Sequence, residues 1–280
     1  MKKVKTSFFC QNCGHQSLKW AGKCPSCGQW NTFVEEEIRE TGPGSRTELS
    51  FNEKPLPIDT IAADERERVK SGIDEVDRVL GGGIVRGSAV LVGGDPGIGK
   101  STLLLQVMQH LAARGLKVLY VSGEESARQI KMRGERIGAT SGNILILVEV
   151  DLENIIKYIR ETKPAAVVVD SVQTLASPDI DGRAGGISQV SEVAAVLTRQ
   201  AKARGVPTLL VGQSTRENSI AGPRALEHLV DTVLTFEGDP HTQVRLLRAV
   251  KNRYGPADEV VCYEQTERGL SELADPSQLF

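Results

Sequence analysis

The segment GDPGIGKS, residues 94–101, restricts the fold more than any other part of the chain. It fits G-x-x-x-x-G-K-[ST], directly after the apolar run AVLVGG (89–94) and at the head of a helix-length amphipathic stretch (101–114). A strand, a glycine-rich loop and a helix in that order aim several backbone N–H groups at one point, with the positive end of the helix behind them. Gly94, Gly97 and Gly99 let the backbone curl, and Asp95, Pro96 and Ile98 complete the loop. Lys100 is expected to reach the β- and γ-phosphates of ATP, Ser101 to ligate Mg²⁺, and Thr102 to lie near the α-phosphate. The competing reading is a glycine-rich turn without a ligand, which the strand–loop–helix context opposes.

The apolar runs KVLYVSG (117–123), NILILVE (143–149), AAVVVD (165–170) and PTLLVG (207–212) are short and β-branched, without polar alternation. Strands covered on both faces read this way. Helical stretches at 126–137, 151–162 and 188–204 separate them. In the last, Ile187, Val190, Val193, Ala194 and Leu197 recur at helical spacing, and Gly205 ends the pattern. The alternation predicts an α/β fold with a mostly parallel central sheet. The runs DTVLTF (231–236) and VRLLRAV (244–250) follow closely and predict antiparallel hairpins at one edge. Residues 35–65 mix charge, Pro, Gly and Ser without periodicity and read as a linker. It divides a small module, 1–34, from the large domain, 66–280.

A second carboxylate is expected near the phosphate loop. Asp170 ends a buried strand, where it can orient Mg²⁺ or its water; the alternative is an Asp that caps a loop. Hydrolysis also needs a group to activate the attacking water. YVSGEES (120–126) offers Glu124, with Glu125 as the second choice. Gln213, in LLVGQST (209–215), is placed to sense a γ-phosphate, or is an ordinary loop amide.

Four of the five cysteines fall within eighteen residues: Cys10, Cys13, Cys24 and Cys27. Two C-x-x-C-G knuckles ten residues apart fit a tetrahedral Zn²⁺ site, and so short a segment needs metal to hold it; a redox dithiol is the alternative. Cys262 reads as buried packing. Lys19, Trp20, Lys23 and Trp30 stand between and beside the knuckles, either as a nucleic-acid contact or with both tryptophans as the module's core. A net charge of −2 confines any DNA-binding surface to a local patch. No signal-peptide run and no membrane-length apolar stretch occurs, so the cytoplasm is expected.

Taken together, CQNCG…CPSCG, GIDEVDRVLGGGIVRGSAVLVGGDPGIGKSTLLLQ, YVSGEES, VVVDSVQT, IAGPRALEHLVDTVLTFEGD and KNRYG (251–255) closely resemble the bacterial RadA/Sms recombination and repair proteins. The resemblance runs from about residue 8 to the C-terminus. It implies a four-cysteine zinc finger followed by a RecA-like P-loop ATPase. Such a protein is a DNA-dependent ATPase and a DNA translocase or helicase. It forms a ring, a hexamer, that promotes branch migration on single-stranded and branched DNA beside the RecA recombinase. The KNRYG motif would then bring Lys251 and Arg253 to the γ-phosphate held by a neighbouring subunit; a solvated basic strand end is the plainer reading.

Tyr254 replaces the family's usual Phe. VGQSTRENSIAGPR departs further, with Gln213 where the family carries histidine. Arg216 and Arg224 in that loop, and Arg183 in SPDIDGRAGGISQ, are the candidate DNA-contacting cations. Family members continue into a domain resembling the Lon protease fold, and this sequence stops about where that domain begins. The alternative function is a nucleotide-switched binding protein gating a partner, as in clock-type relatives of this fold. A replicative-type helicase is a third, opposed by the missing helical N-terminal domain.

Overall fold

Residues 5–38, 55, 57–60, 68–180, 185–213, 226–238 and 242–273 are described by a computed structural model. The N-terminal module is a three-stranded antiparallel sheet, β1 (Lys5–Cys10), β2 (Gln16–Ser17) and β3 (Phe33–Ile38), with β1 in the middle. Next come β4 (Arg68–Val69), α1 (Asp74–Val79) and β5 (Ile84–Val85), a two-stranded ribbon with a helix between its strands.

The large domain then alternates. β6 (Ala89–Gly94) leads into α2 (Lys100–Ala113), β7 (Val118–Ser122) into α3 (Ala127–Ile137), and β8 (Ile144–Val148) into α4 (Leu152–Thr162). β9 (Ala166–Asp170), α5 (Ile187–Arg204) and β10 (Thr208–Val211) complete the alternation. β11 (Thr232–Glu237), β12 (Val244–Asn252), β13 (Val260–Thr266) and β14 (Gly269–Glu272) follow with no helix-length element between them.

The strands form one nine-stranded sheet in the order β14-β13-β12-β11-β6-β10-β9-β7-β8. Six neighbours, β11 to β8 in that order, run parallel, and β12, β13 and β14 add antiparallel hairpins at one edge. This is the predicted α/β fold with its mostly parallel sheet.

Both faces of the central parallel strands β6, β7, β9 and β10 are buried, which is why the sequence shows no polar alternation there; β8, at the sheet edge, is only half-buried. Val90, Val92, Val118, Tyr120 and Val168 pack with α2, while Ala89, Leu91, Leu119, Val121, Val167 and Val169 pack with α4 and α5. Each fully buried Val or Leu contributes about 1.5–3 kcal/mol over leaving it in water. The helix ends are set locally. Ser126 and Gln129 form a capping box at the start of α3, Asp151 caps α4, and Gly205 closes α5 in the left-handed conformation. No described helix is long and apolar enough to cross a membrane. Cys262 departs from expectation: it is only half-buried, since Val261 and Tyr263 turn to the core face of β13.

Candidate active site

Parallel strands end at the same rim of a sheet, and here that rule gathers residues far apart in sequence. β6, β10, β9 and β7 are consecutive neighbours. Their C-terminal ends carry, in turn, the loop 94–99, Gln213, Asp170 and Glu124. Together with Lys100, Ser101 and Thr102 they line one cleft of about 750 Å³. The six sequence-predicted residues Lys100, Ser101, Thr102, Glu124, Asp170 and Gln213 are thus brought into one place.

The loop leaves no room for side chains where it leaves β6. A Cβ on Gly94, at φ 146°, would lie 2.3 Å from the Phe236 carbonyl oxygen, and Gly99 takes a left-handed φ of 114° as N-cap of α2. Lys100, 5% exposed, donates from Nζ to the carbonyl oxygens of Gly94 and Asp95, each at 2.7 Å. Burial lowers its pKa, and the carboxylates of Asp170, Asp95 and Glu124 oppose that shift. The ammonium is therefore held folded over the loop, inside a ring of acids.

Two hydrogen-bond networks separate the neighbouring glutamates. Glu124 Oε1 accepts from Ser171 Oγ at 2.7 Å and from Gln213 Nε2 at 2.9 Å, and Gln213 Nε2 also approaches Oε2 at 3.1 Å. Gln173 Nε2 donates to the Gln213 carbonyl at 3.2 Å, which steadies that residue in turn. Glu125 also lines the cleft, but its carboxylate pairs with Arg133 of α3, and its backbone is tied to the Ser122 hydroxyl. Of the two, Glu124 is the one bonded to Ser171 and Gln213.

Two residues outside the phosphate motif bear on the cleft, one behind Asp170 and one in its lining. Tyr120, fully buried, donates its hydroxyl to Asp170 Oδ2, fixing that carboxylate. Burial and the Asp170 charge raise its pKa well above the usual tyrosine value, so it stays a donor. Gln265, from antiparallel β13, lines the cleft, and its Oε1 is buried without a hydrogen-bond partner. Tyr120 stood inside YVSGEES and could have been found by asking which neighbour orients the β9 carboxylate; Gln265 had no local signal.

Lys251 and Arg253 lie at the opposite rim. Lys251 Nζ donates to the carbonyl oxygens of Glu227 and Val230. Burial and the nearby Arg253 lower its pKa. Arg253 Nη1 is 3.2 Å from Oδ1 of the fully buried Asp231, whose Oδ2 accepts from the Ala89 amide at the first residue of β6. β6 carries the chain five residues from there to Gly94, about 17 Å along a strand. Neither cation is placed to serve its own chain's loop. Arg183, Arg216 and Arg224 lie outside the described residues.

In the N-terminal module the four cysteine sulfurs lie within 4.8 Å of one another, with Cys10–Cys27 and Cys13–Cys24 each at 3.6 Å. A tetrahedron of thiolates about 2.3 Å from zinc has edges of about 3.8 Å, so the donor set fits Zn²⁺. The two knuckles repeat one another. The backbone carbonyl oxygens of Cys10 and Cys24 accept from the amides of Gly14 and Gly28 at 2.8 and 2.9 Å, and both glycines are left-handed, at φ 76° and 74°. Outside the sulfurs the module's buried apolar cluster is little more than Phe33. Stripping zinc with a chelator is expected to raise hydrogen exchange throughout 5–38 while β6, β9 and β10 stay protected; unchanged protection of the module would contradict a structural metal.

The comparisons with known proteins agree with this construction. The AAA domain family matches residues 53–219, and the rubredoxin metal-binding domain family matches residues 8–35. The KaiC-like protein of Pyrococcus horikoshii has the same fold, with a TM-score of 0.59 and 23% identity, over 74% of this chain and 98% of that one. The chain belongs to the AAA-domain family of P-loop proteins. Among curated proteins its relatives are the DNA repair proteins RadA. Identity is 51% to that of Bacillus subtilis, 46% to that of Aquifex aeolicus and 48% to that of Listeria monocytogenes, each across 100% of this chain. The chain spans 62% of the length of these relatives.

Proposed function

We propose that this chain is a DNA-stimulated ATPase motor of recombinational DNA repair, which promotes branch migration beside the RecA recombinase in the cytoplasm. The observation that carries the ATPase reading is the convergence of Lys100, Glu124, Asp170 and Gln213 on one cleft around a glycine-rich loop. The names of the relatives support the repair role. The working unit is a zinc-binding module (1–34), a linker (35–65) and a RecA-like ATPase domain (66–280), assembled as a hexameric ring.

Ser101 and Asp170 would hold Mg²⁺, which would supply charge neutralisation at the β- and γ-phosphates. Lys100 leaves the carbonyls of Gly94 and Asp95 for the phosphate oxygens. The amides of the loop and the start of α2 hold the chain of phosphates in line. Glu124 takes the proton of the attacking water, and Ser171 and Gln213 fix the carboxylate that receives it. Gln213 reports the state of the γ-phosphate by exchanging its bond to Glu124 for one to that group. Gln265 Oε1 receives a donor from the nucleoside portion. Replacing Gln265 by Leu is expected to raise KM for ATP about fivefold with little change in kcat, as loss of one hydrogen bond predicts; a fall in kcat at constant KM would remove it from nucleotide binding.

Arg133 and Arg136 line the cleft on the α3 side, with Arg133 paired to Glu125. Further positive charge for the transferred group comes from Lys251 and Arg253 of an adjacent copy, which their own chain carries to the far rim. Arg183, Arg216 and Arg224 are proposed to face DNA in the ring's channel.

The test is ATP hydrolysis by the purified protein with and without single-stranded DNA. The reading expects hydrolysis that DNA stimulates and that Lys100→Ala abolishes. Hydrolysis indifferent to DNA would overturn the motor role while leaving the ATPase.

A further inference from the structure

The chain has two tryptophans, Trp20 and Trp30, and both lie in the zinc-binding module. Neither forms its core: they are 57% and 67% exposed, and Leu18 beside them is 81% exposed. The module's described ring contact is instead His15 against Phe33. Large apolar side chains left in water on so small a unit mark a surface that something covers.

The arrangement of the two indoles says what kind of thing. Gly22 lies between them, and an atom at its missing Cβ position would sit 3.7 Å from the Trp20 ring and 3.7 Å from the Trp30 ring. A group placed at that position therefore has the benzo ring of each indole within van der Waals distance. Lys23 crosses to Trp30 in an isolated β-bridge and holds its ammonium 5.7 Å from the centre of that ring, and the exposed Lys19 flanks Trp20. Two aromatic walls, a glycine floor and two flanking ammonium groups are the parts from which stacking sites for single-stranded nucleic acid are made: the walls take the base and the cations take the phosphates on either side. A base paired in a duplex presents no free face to such walls, and an apolar peptide would draw nothing from the lysines.

We propose that the Trp20–Gly22–Trp30 slot of the zinc-binding module takes an unpaired base of single-stranded DNA, with Lys19 and Lys23 on the adjoining phosphates. The proposal rests on the DNA-acting reading above, but its residues are separate from the ATP cleft and from the three arginines assigned to the channel.

Because the only tryptophans of the chain form the slot, its occupancy has its own signal. Labelled oligothymidylate is titrated into the full chain, with oligonucleotide anisotropy followed in parallel with tryptophan emission. The slot predicts emission that falls and saturates with the anisotropy, and no such fall with duplex DNA. Gly22→Leu, which fills the slot, is expected to abolish the emission change and weaken binding about tenfold. Gly22→Ala, whose methyl fits at 3.7 Å, is expected to keep both nearer the parent. Zinc content is measured for each variant, and if Gly22→Leu loses zinc, Trp20→Ala and Trp30→Ala decide, each expected to weaken binding similarly. Binding by anisotropy with unchanged emission would overturn the slot, leaving the aromatic face to a protein partner and the DNA-acting reading intact. No binding by anisotropy would overturn both.

Discussion

Replacing Glu124 by Gln is expected to lower kcat for ATP hydrolysis by about 10²–10⁴-fold while leaving nucleotide binding near the parent level. Glutamine keeps the size of the side chain and can still accept from Ser171 at 2.7 Å and from Gln213 at 2.9 Å, losing only the longer Gln213 contact at 3.1 Å. It cannot take a proton from water. Glu125→Gln is the internal control. That carboxylate is committed to Arg133, so its loss is expected to loosen the start of α3 and to leave most of the rate. Single-turnover hydrolysis and equilibrium nucleotide binding on the same preparations separate the two effects. Equal losses at both positions would deny Glu124 its assigned role.

The second large effect is expected at the other rim. Arg253→Ala should slow hydrolysis by about a thousandfold, the scale on which an inserted arginine acts in phosphoryl transfer. The side chain is 49% exposed and rests against a buried carboxylate, Asp231, that also pairs with Lys202 at 3.2 Å. Removing the guanidinium therefore leaves Asp231 one cation, and thermal unfolding must be measured beside the rate to separate a folding defect. Arg253→Lys keeps the charge but not the planar fork, and is expected to recover only a small part of the activity. Full activity in Arg253→Ala would return KNRYG to the plainer reading of a solvated strand end.

Much of this was legible because local chemistry and global fold agree. The strand AVLVGG, the loop GDPGIGKS and the helix after it appear where the sequence puts them, since each is specified by residues that touch it. Asp170 was legible for the same reason: a carboxylate ending a β-branched run has one place to go in a parallel sheet. What was not legible depends on long-range pairing. The choice between Glu124 and Glu125 is made by Arg133, Ser171 and Gln213, residues 8 to 89 positions away. Gln265 reaches the cleft from an antiparallel strand, β13, whose own sequence carries no nucleotide motif. The tryptophans could be read two ways, because composition does not say whether an indole in a small module faces inward; the structure turns both outward.

Hydrolysis by an equal mixture of Lys100→Ala and Arg253→Ala chains tests the shared-site account most directly. Each variant alone is expected to be nearly inactive, one for want of a competent phosphate loop and the other for want of the cation offered to its neighbour. In a head-to-tail ring assembled at random, about a quarter of the interfaces pair an intact loop with an intact Arg253. The account predicts that the mixture recovers activity on that order, well above either variant alone. A mixture no more active than its components, with ring assembly intact, would contradict it and place both residues in service of their own chain.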